Sequence, residues 1–240
     1  MNKLKVPSLQ HLARIWSSSP ELVERELLRL AKNSPNFSYD FLNEMARDYL
    51  LYKISKDQIV EGIVRKEKRK QIRKILMDVV PFLCDYLDSI NPDFVNDVAY
   101  RQYPLGKELR IPFRPPFIYG IGGQIYLPWF SFWKSNPLEG ARLSLFVCLV
   151  LEMLRQDSDL ENARFQILDF SANGNNGHRK LKIIDASDIY SLSNKERDEM
   201  LLIFLEGFKR ATLKLGEELV DKTESDEAAL DDRTLPLWIQ

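Results

Sequence analysis

FIYGIGGQIYL, residues 117–127, is the stretch on which the fold class turns. Two apolar-aromatic runs, Phe117-Ile118-Tyr119 and Ile125-Tyr126-Leu127, flank Gly122-Gly123. Glycine takes positive φ at little steric cost, so the pattern predicts a β-hairpin. Pro115, Pro116 and Pro128 predict strand ends or edges, because proline has no N–H for a ladder. A second strand pair is predicted from the alternation of Arg164-Phe165-Gln166-Ile167-Leu168-Asp169-Phe170 and Lys180-Leu181-Lys182-Ile183-Ile184-Asp185, joined by the turn-rich Asn173-Gly174-Asn175-Asn176-Gly177. Between the hairpins, Asn136-Pro137 opens a helix over 137–155. It is apolar on nearly every side, from Leu143, Leu145 and Phe146 to Met153 and Leu154, and such a helix belongs inside.

Outward from this centre, the first ninety or so residues read as short helices. Ser19-Pro20 supplies a capping side chain and a proline at the first helical position, Ser38 or Asp40 can cap the next helix, and Ser55 with Gln58 forms a capping-box pattern. The apolar stripe from Ile59 to Leu83 is interrupted at Arg65-Lys66-Glu67-Lys68-Arg69-Lys70, which predicts a break or kink. Downstream, Ser193-Asn194-Lys195-Glu196 is a further capping box, opening a helix to about Val220. Residues 221–240 read as an acidic mobile tail ending in the apolar cluster Leu235-Pro236-Leu237-Trp238-Ile239. The expected architecture is α+β: one domain over 1–220, with a helical layer in 1–99 and a sheet-containing part in 100–220. There a small antiparallel sheet of two hairpins is covered by two long helices.

Bulk composition narrows the function classes. Hydrophobic residues make up 45% and charged residues 29% of the 240, with a formal net charge of -1. Any attraction to nucleic acid or acidic lipid must therefore be local. Cys84 and Cys148 lie in apolar helical runs and read as free core thiols, so no disulfide-linked partner is expected. With His11 and His178 as the only histidines, a zinc site of Cys/His type is not expected. Residues 143–154 fall well short of the roughly 20 needed to cross a bilayer, so no membrane is expected as a partner. No secretory signal precedes the first helix, and the expected location is cytoplasmic.

Three groups of residues carry candidate chemistry. The run from Arg65 to Lys74, with Lys68, Arg69 and Arg73 at its centre, can neutralise phosphates or can be the solvated face of a long helix. Residues 100–134 combine Arg110 and Arg114 with Tyr119, Tyr126, Trp129 and Trp133. Such a set suits a groove for stacked bases or peptide, and equally a hydrophobic core. Gly120-Ile121-Gly122-Gly123 is not followed by a helix or a Lys-Ser/Thr pair, so a hairpin turn explains it better than a phosphate cradle.

The third group is Asp169 and Asp185 near the ends of neighbouring predicted strands, with Lys180 and Lys182 on the second. Two strand-borne carboxylates and a lysine can hold Mg²⁺ and orient an attacking water. This arrangement resembles the restriction-endonuclease-like nucleases, in which a strand aspartate is followed by a second strand carrying an acidic-x-Lys motif. The resemblance implies a metal-dependent nuclease with Asp169, Asp185 and Lys182 as catalytic candidates and Mg²⁺ as cofactor. The chain departs from that pattern where Asp185 is followed by Ala186-Ser187, without the lysine two positions on, which implies a lost activity and a remaining binding scaffold.

The leading expectation is a non-enzymatic binding or adaptor protein without a cofactor or metal. It would contact a protein or nucleic acid through the basic-aromatic segment, with the 65–74 cluster adding electrostatic attraction. The alternative is the metal-dependent nucleic-acid-processing enzyme or a decayed relative of it.

Overall fold

The structure, a computed structural model, describes residues 4–33, 39–107, 109–133, 135–172 and 179–231, with side chains placed through Glu217. Six helices come first: α1 (Leu9–Ile15), α2 (Pro20–Lys32), α3 (Asp40–Tyr52), α4 (Lys56–Lys66), α5 (Lys70–Met77) and α6 (Val80–Asp88). Five strands follow: β1 (Phe94–Asn96), β2 (Arg101–Leu105), β3 (Leu109–Phe113), β4 (Ile118–Ile121) and β5 (Gln124–Ser131). The chain continues through α7 (Ala141–Arg155), β6 (Arg164–Asp169), β7 (Lys182–Asp185) and α8 (Asn194–Asp231).

Local punctuation follows the expected chemistry. The Ser19 side chain accepts from the Leu22 N–H with Pro20 opening α2. Ser55 and Gln58 satisfy one another's backbone N–H groups at the start of α4. Ser193 and Glu196 do the same at the start of α8. The break in the basic run is real: α4 ends at Lys66 and α5 begins at Lys70. Gly122 and Gly123 turn the β4–β5 hairpin at φ 57° and 81°. The third helix opens at Asp40, directly after Tyr39 at its N-cap position, and Ser38 lies outside the described residues. So do the 173–177 turn and the terminal cluster around Trp238. The last helix continues past Val220 to Asp231, and α7 starts only at Ala141, after a Gly140 at φ 52°.

The sheet departs from the expected plan. Its order is β1-β4-β5-β6-β7, and the β5–β6 pair is parallel, so the sheet is mixed. The two anticipated hairpins exist as β4–β5 and β6–β7, but the connection between them carries α7, and a helix-bearing crossover returns the chain in the same direction. A further hairpin, β2–β3, forms a separate two-stranded sheet. Pro128 stands inside β5 rather than at its end, yet beyond Tyr126, the last residue paired to β4, so β5 there has only β6 beside it.

Nor is the helical part a single layer. Alternate residues of the inner strands point to opposite faces. Leu127 and Trp129 of β5 and Phe165 and Ile167 of β6 join the core containing α1, α2, α7, α8 and the β2–β3 hairpin. Tyr126, Phe130, Leu168 and Phe170 join a second core made with α3 to α6. Strands apolar on both faces need cover on both, which splits the helices between the two sides. Of the two expected covering helices, α7 packs on the sheet through Phe146, which meets Trp129 of β5 and Phe165 of β6, whereas α8 packs chiefly along α2. Cys84 is buried and Cys148 half-buried, both as free thiols. Among the described residues no helix is long and apolar enough to cross a membrane.

Candidate functional site

The α4–α5 corner carries the basic run into solvent. Arg65 pairs with Glu61 one turn back, and Lys66 reaches Glu44 at 3.3 Å while lying over the Phe41 ring at 4.6 Å. Arg69 grips Glu67 with Nε and Nη2 at 2.9 and 2.7 Å. That side-chain bond, helped by the Arg69 backbone N–H, holds the Glu67 carboxyl down at about 2. Lys68, Lys70, Arg73 and Lys74 form no ion pair among the described residues, although Arg73 donates to the Lys68 carbonyl at 3.4 Å. The three lysines are exposed and Arg73 is half-buried. Among the described residues, therefore, these four cations have no ion-pair partner.

The aromatic segment behaves differently. Tyr119 is 2% exposed, and its hydroxyl meets that of Tyr86 at 2.9 Å. Burial, with Tyr86 beside it, pushes the Tyr119 hydroxyl well above the usual phenol range. Tyr126 stacks on Tyr119 with centroids 5.1 Å apart, and Trp129 stacks on Phe113 and meets Phe146 edge-on. Trp133 is half-buried between His11 and Arg14, whose guanidinium lies 4.4 Å from the ring centroid. With its carboxamide oxygen turned toward the indoles, Gln10 accepts from Nε1 of both Trp129 and Trp133. These rings spend their faces on the interior. Arg110 remains exposed on β3, and Arg114 lies over Tyr100. The β2–β3 hairpin packs into one core and α4–α5 into the other, with the main sheet between them. The structure thus splits the basic-aromatic segment: Tyr119 and Tyr126 pack on the side of the sheet that carries the basic corner, while the β2–β3 hairpin with Arg110 packs on the other.

The two aspartates are separated as well. In the β6–β7 ladder Asp169 faces Lys182 and Gln166 faces Asp185. Residues three apart on a strand point to opposite faces, so Asp169 and Asp185 lie on opposite sides of the sheet and cannot share a metal ion. This corrects the expectation of a paired carboxylate site. Asp185 accepts from Arg164, from Gln166 at 3.2 Å, and from the Ser187 hydroxyl and backbone N–H at 2.7 and 3.0 Å. Burial pushes its carboxyl up, but the Ser187, Arg164 and Gln166 bonds outweigh this and leave it below the ordinary value. It fastens the end of β7. No group of three or more His, Cys, Asp or Glu side chains suited to a metal occurs among the described residues.

Asp169 and Lys182 do share a site. They line a cleft of about 480 Å³ where the parallel strands β5 and β6 end, together with Asn136, Glu139, Leu143 and Ser171. Asp169 is 7% exposed; it accepts from Asn136 Nδ2 at 2.8 Å and from the Ser171 N–H at 2.9 Å. Asn136 Oδ1 in turn accepts from the Leu138 N–H, which fixes the amide. Sequence reasoning read Asn136 only as a helix-start residue and passed over Ser171. Their joint role depends on the β5–β6 pairing, and no local pattern signals it. The sequence matches no family model, and a search of curated proteins returns no match.

Proposed function

We propose that the chain acts as a non-enzymatic binding protein that engages the phosphate backbone of a nucleic acid through the α4–α5 corner. The observation that carries this reading is the set of cations at Lys68, Lys70, Arg73 and Lys74 left without ion pairs among the described residues. Arg65 and Lys66 stand beside them in exposed pairs. Such pairs contribute only about 0–1 kcal/mol each, so a phosphate can compete for them at small cost. Base stacking by Tyr119, Tyr126, Trp129 and Trp133 is not part of this reading, because their rings pack inward. Contact by backbone charge alone favours little sequence preference.

Fluorescence anisotropy against labelled single-stranded DNA, duplex DNA and RNA tests it. If the four free cations each meet a phosphate, affinity falls roughly 50- to 150-fold between about 50 and 200 mM salt. Lys68→Glu, Lys70→Glu and Arg73→Glu together remove the salt-sensitive binding. Absence of binding at low salt, or binding indifferent to these reversals, rejects the proposal.

A further inference from the structure

The cleft beyond β5 and β6 contains a buried carboxyl group, that of Asp169, with no counter-ion among the described residues. Asp169 is 7% exposed, and among the described residues no cation pairs with it. Buried carboxylates are ordinarily paired with a cation, since hydrogen bonds alone recover only part of the lost hydration. Asn136 and the Ser171 N–H each occupy one lone pair, on Oδ2 and Oδ1 respectively. Each oxygen keeps acceptor capacity for a further donor. Lys182, the cross-strand partner of Asp169 on the same face, is exposed and likewise forms no ion pair among the described residues. Directly opposed residues in such a ladder hold their Cβ atoms about 4.5–5.5 Å apart, so one small molecule can reach both. Leu138, Leu143 and Ile184 add an apolar wall.

From this geometry we infer that the cleft binds a small zwitterion of the amino-acid type, its ammonium group held by Asp169 and its carboxylate by Lys182. A plain amine would satisfy Asp169 but leave Lys182 unpaired, and a plain carboxylate would meet repulsion from Asp169 and from Glu139, which also lines the cleft. A molecule carrying both charges is complementary to the pair. The volume of about 480 Å³ lies within the range of small-ligand sites, and the position at the carboxyl ends of parallel strands is where open α/β sheets accept ligands.

The test uses the full chain, with each common L-α-amino acid added singly at millimolar concentration and the melting temperature followed. The decarboxylated amine and the deaminated acid serve as controls, and isothermal titration follows for any compound that stabilises. At least one amino acid is expected to raise the melting temperature where its amine and its acid do not. Asp169→Asn and Lys182→Ala should each weaken it by about tenfold or more. Lys182 is exposed, so that variant keeps the fold even if Asp169→Asn does not, and Asp185→Asn, on the other face of the sheet, should leave binding unchanged. If no amino acid stabilises the protein, or if Lys182→Ala binds as the wild type does, the inference fails and Lys182 serves only as a solvated neighbour of Asp169.

Discussion

Lowering the pH from about 7.5 to about 5, the upper part of the range between the free and folded titration of His11, should destabilise this protein before most of its carboxylates protonate. His11 sits on α1 with Nδ1 2.8 Å from the Ser8 hydroxyl, and its ring lies 5.5 Å from that of Trp133. Burial, with the nearby Arg14 guanidinium adding to it, lowers its pKa from 6.5 to about 4. The unfolded chain therefore binds more protons throughout that window, and stability falls as pH is lowered across it. Each unit corresponds to about 1.4 kcal/mol, so the full shift costs about 3 kcal/mol, of which about 2 kcal/mol is lost between about pH 7.5 and pH 5. Urea unfolding across this range measures the loss. His11→Gln keeps a polar group near Ser8 but cannot titrate, and its stability should be nearly flat over the same interval. An unchanged wild-type stability at about pH 5, or an equal fall in His11→Gln, would refute the reasoning.

Three further perturbations test how the elements are joined and how the two aspartates are placed. A Cβ on Gly207 of α8 would stand 2.6 Å from the Val23 Cβ and 2.7 Å from the Pro20 carbonyl oxygen on α2, so Gly207→Ala should destabilise by about 1–3 kcal/mol in thermal or urea unfolding despite its better helix propensity. Asp185→Ala strips hydrogen-bond acceptors from the Ser187 N–H and the Gln166 amide, with an expected loss of about 1–3 kcal/mol. Adding millimolar Mg²⁺ should leave the melting temperature of wild type and of Asp185→Ala equally unchanged; stabilisation of the wild type alone would contradict the separation of the two aspartates.

The sequence by itself determined the features set within a few residues of one another. Gly122-Gly123 specified a tight turn because positive φ is inexpensive only for glycine, and both residues adopt it. Ser55 with Gln58, and Ser193 with Glu196, specified helix starts because the donors they satisfy lie within one turn. The interruption at 65–70 became the α4–α5 corner because charges occupied positions where the apolar stripe should continue. Only the tertiary structure decided the rest. A shift of one residue in the β6–β7 register would have put Asp185 on the same face as Asp169, and nothing in either strand's alternation sets that register. Aromatic and basic residues in 100–134 could serve a groove or a core equally well. The rings went inward because the sheet, covered on both sides, demanded apolar area on both faces. The same sheet holds the basic corner apart from Arg110 and Arg114, and it brings Asn136, Asp169 and Lys182, distant in sequence, to one cleft at the ends of β5 and β6.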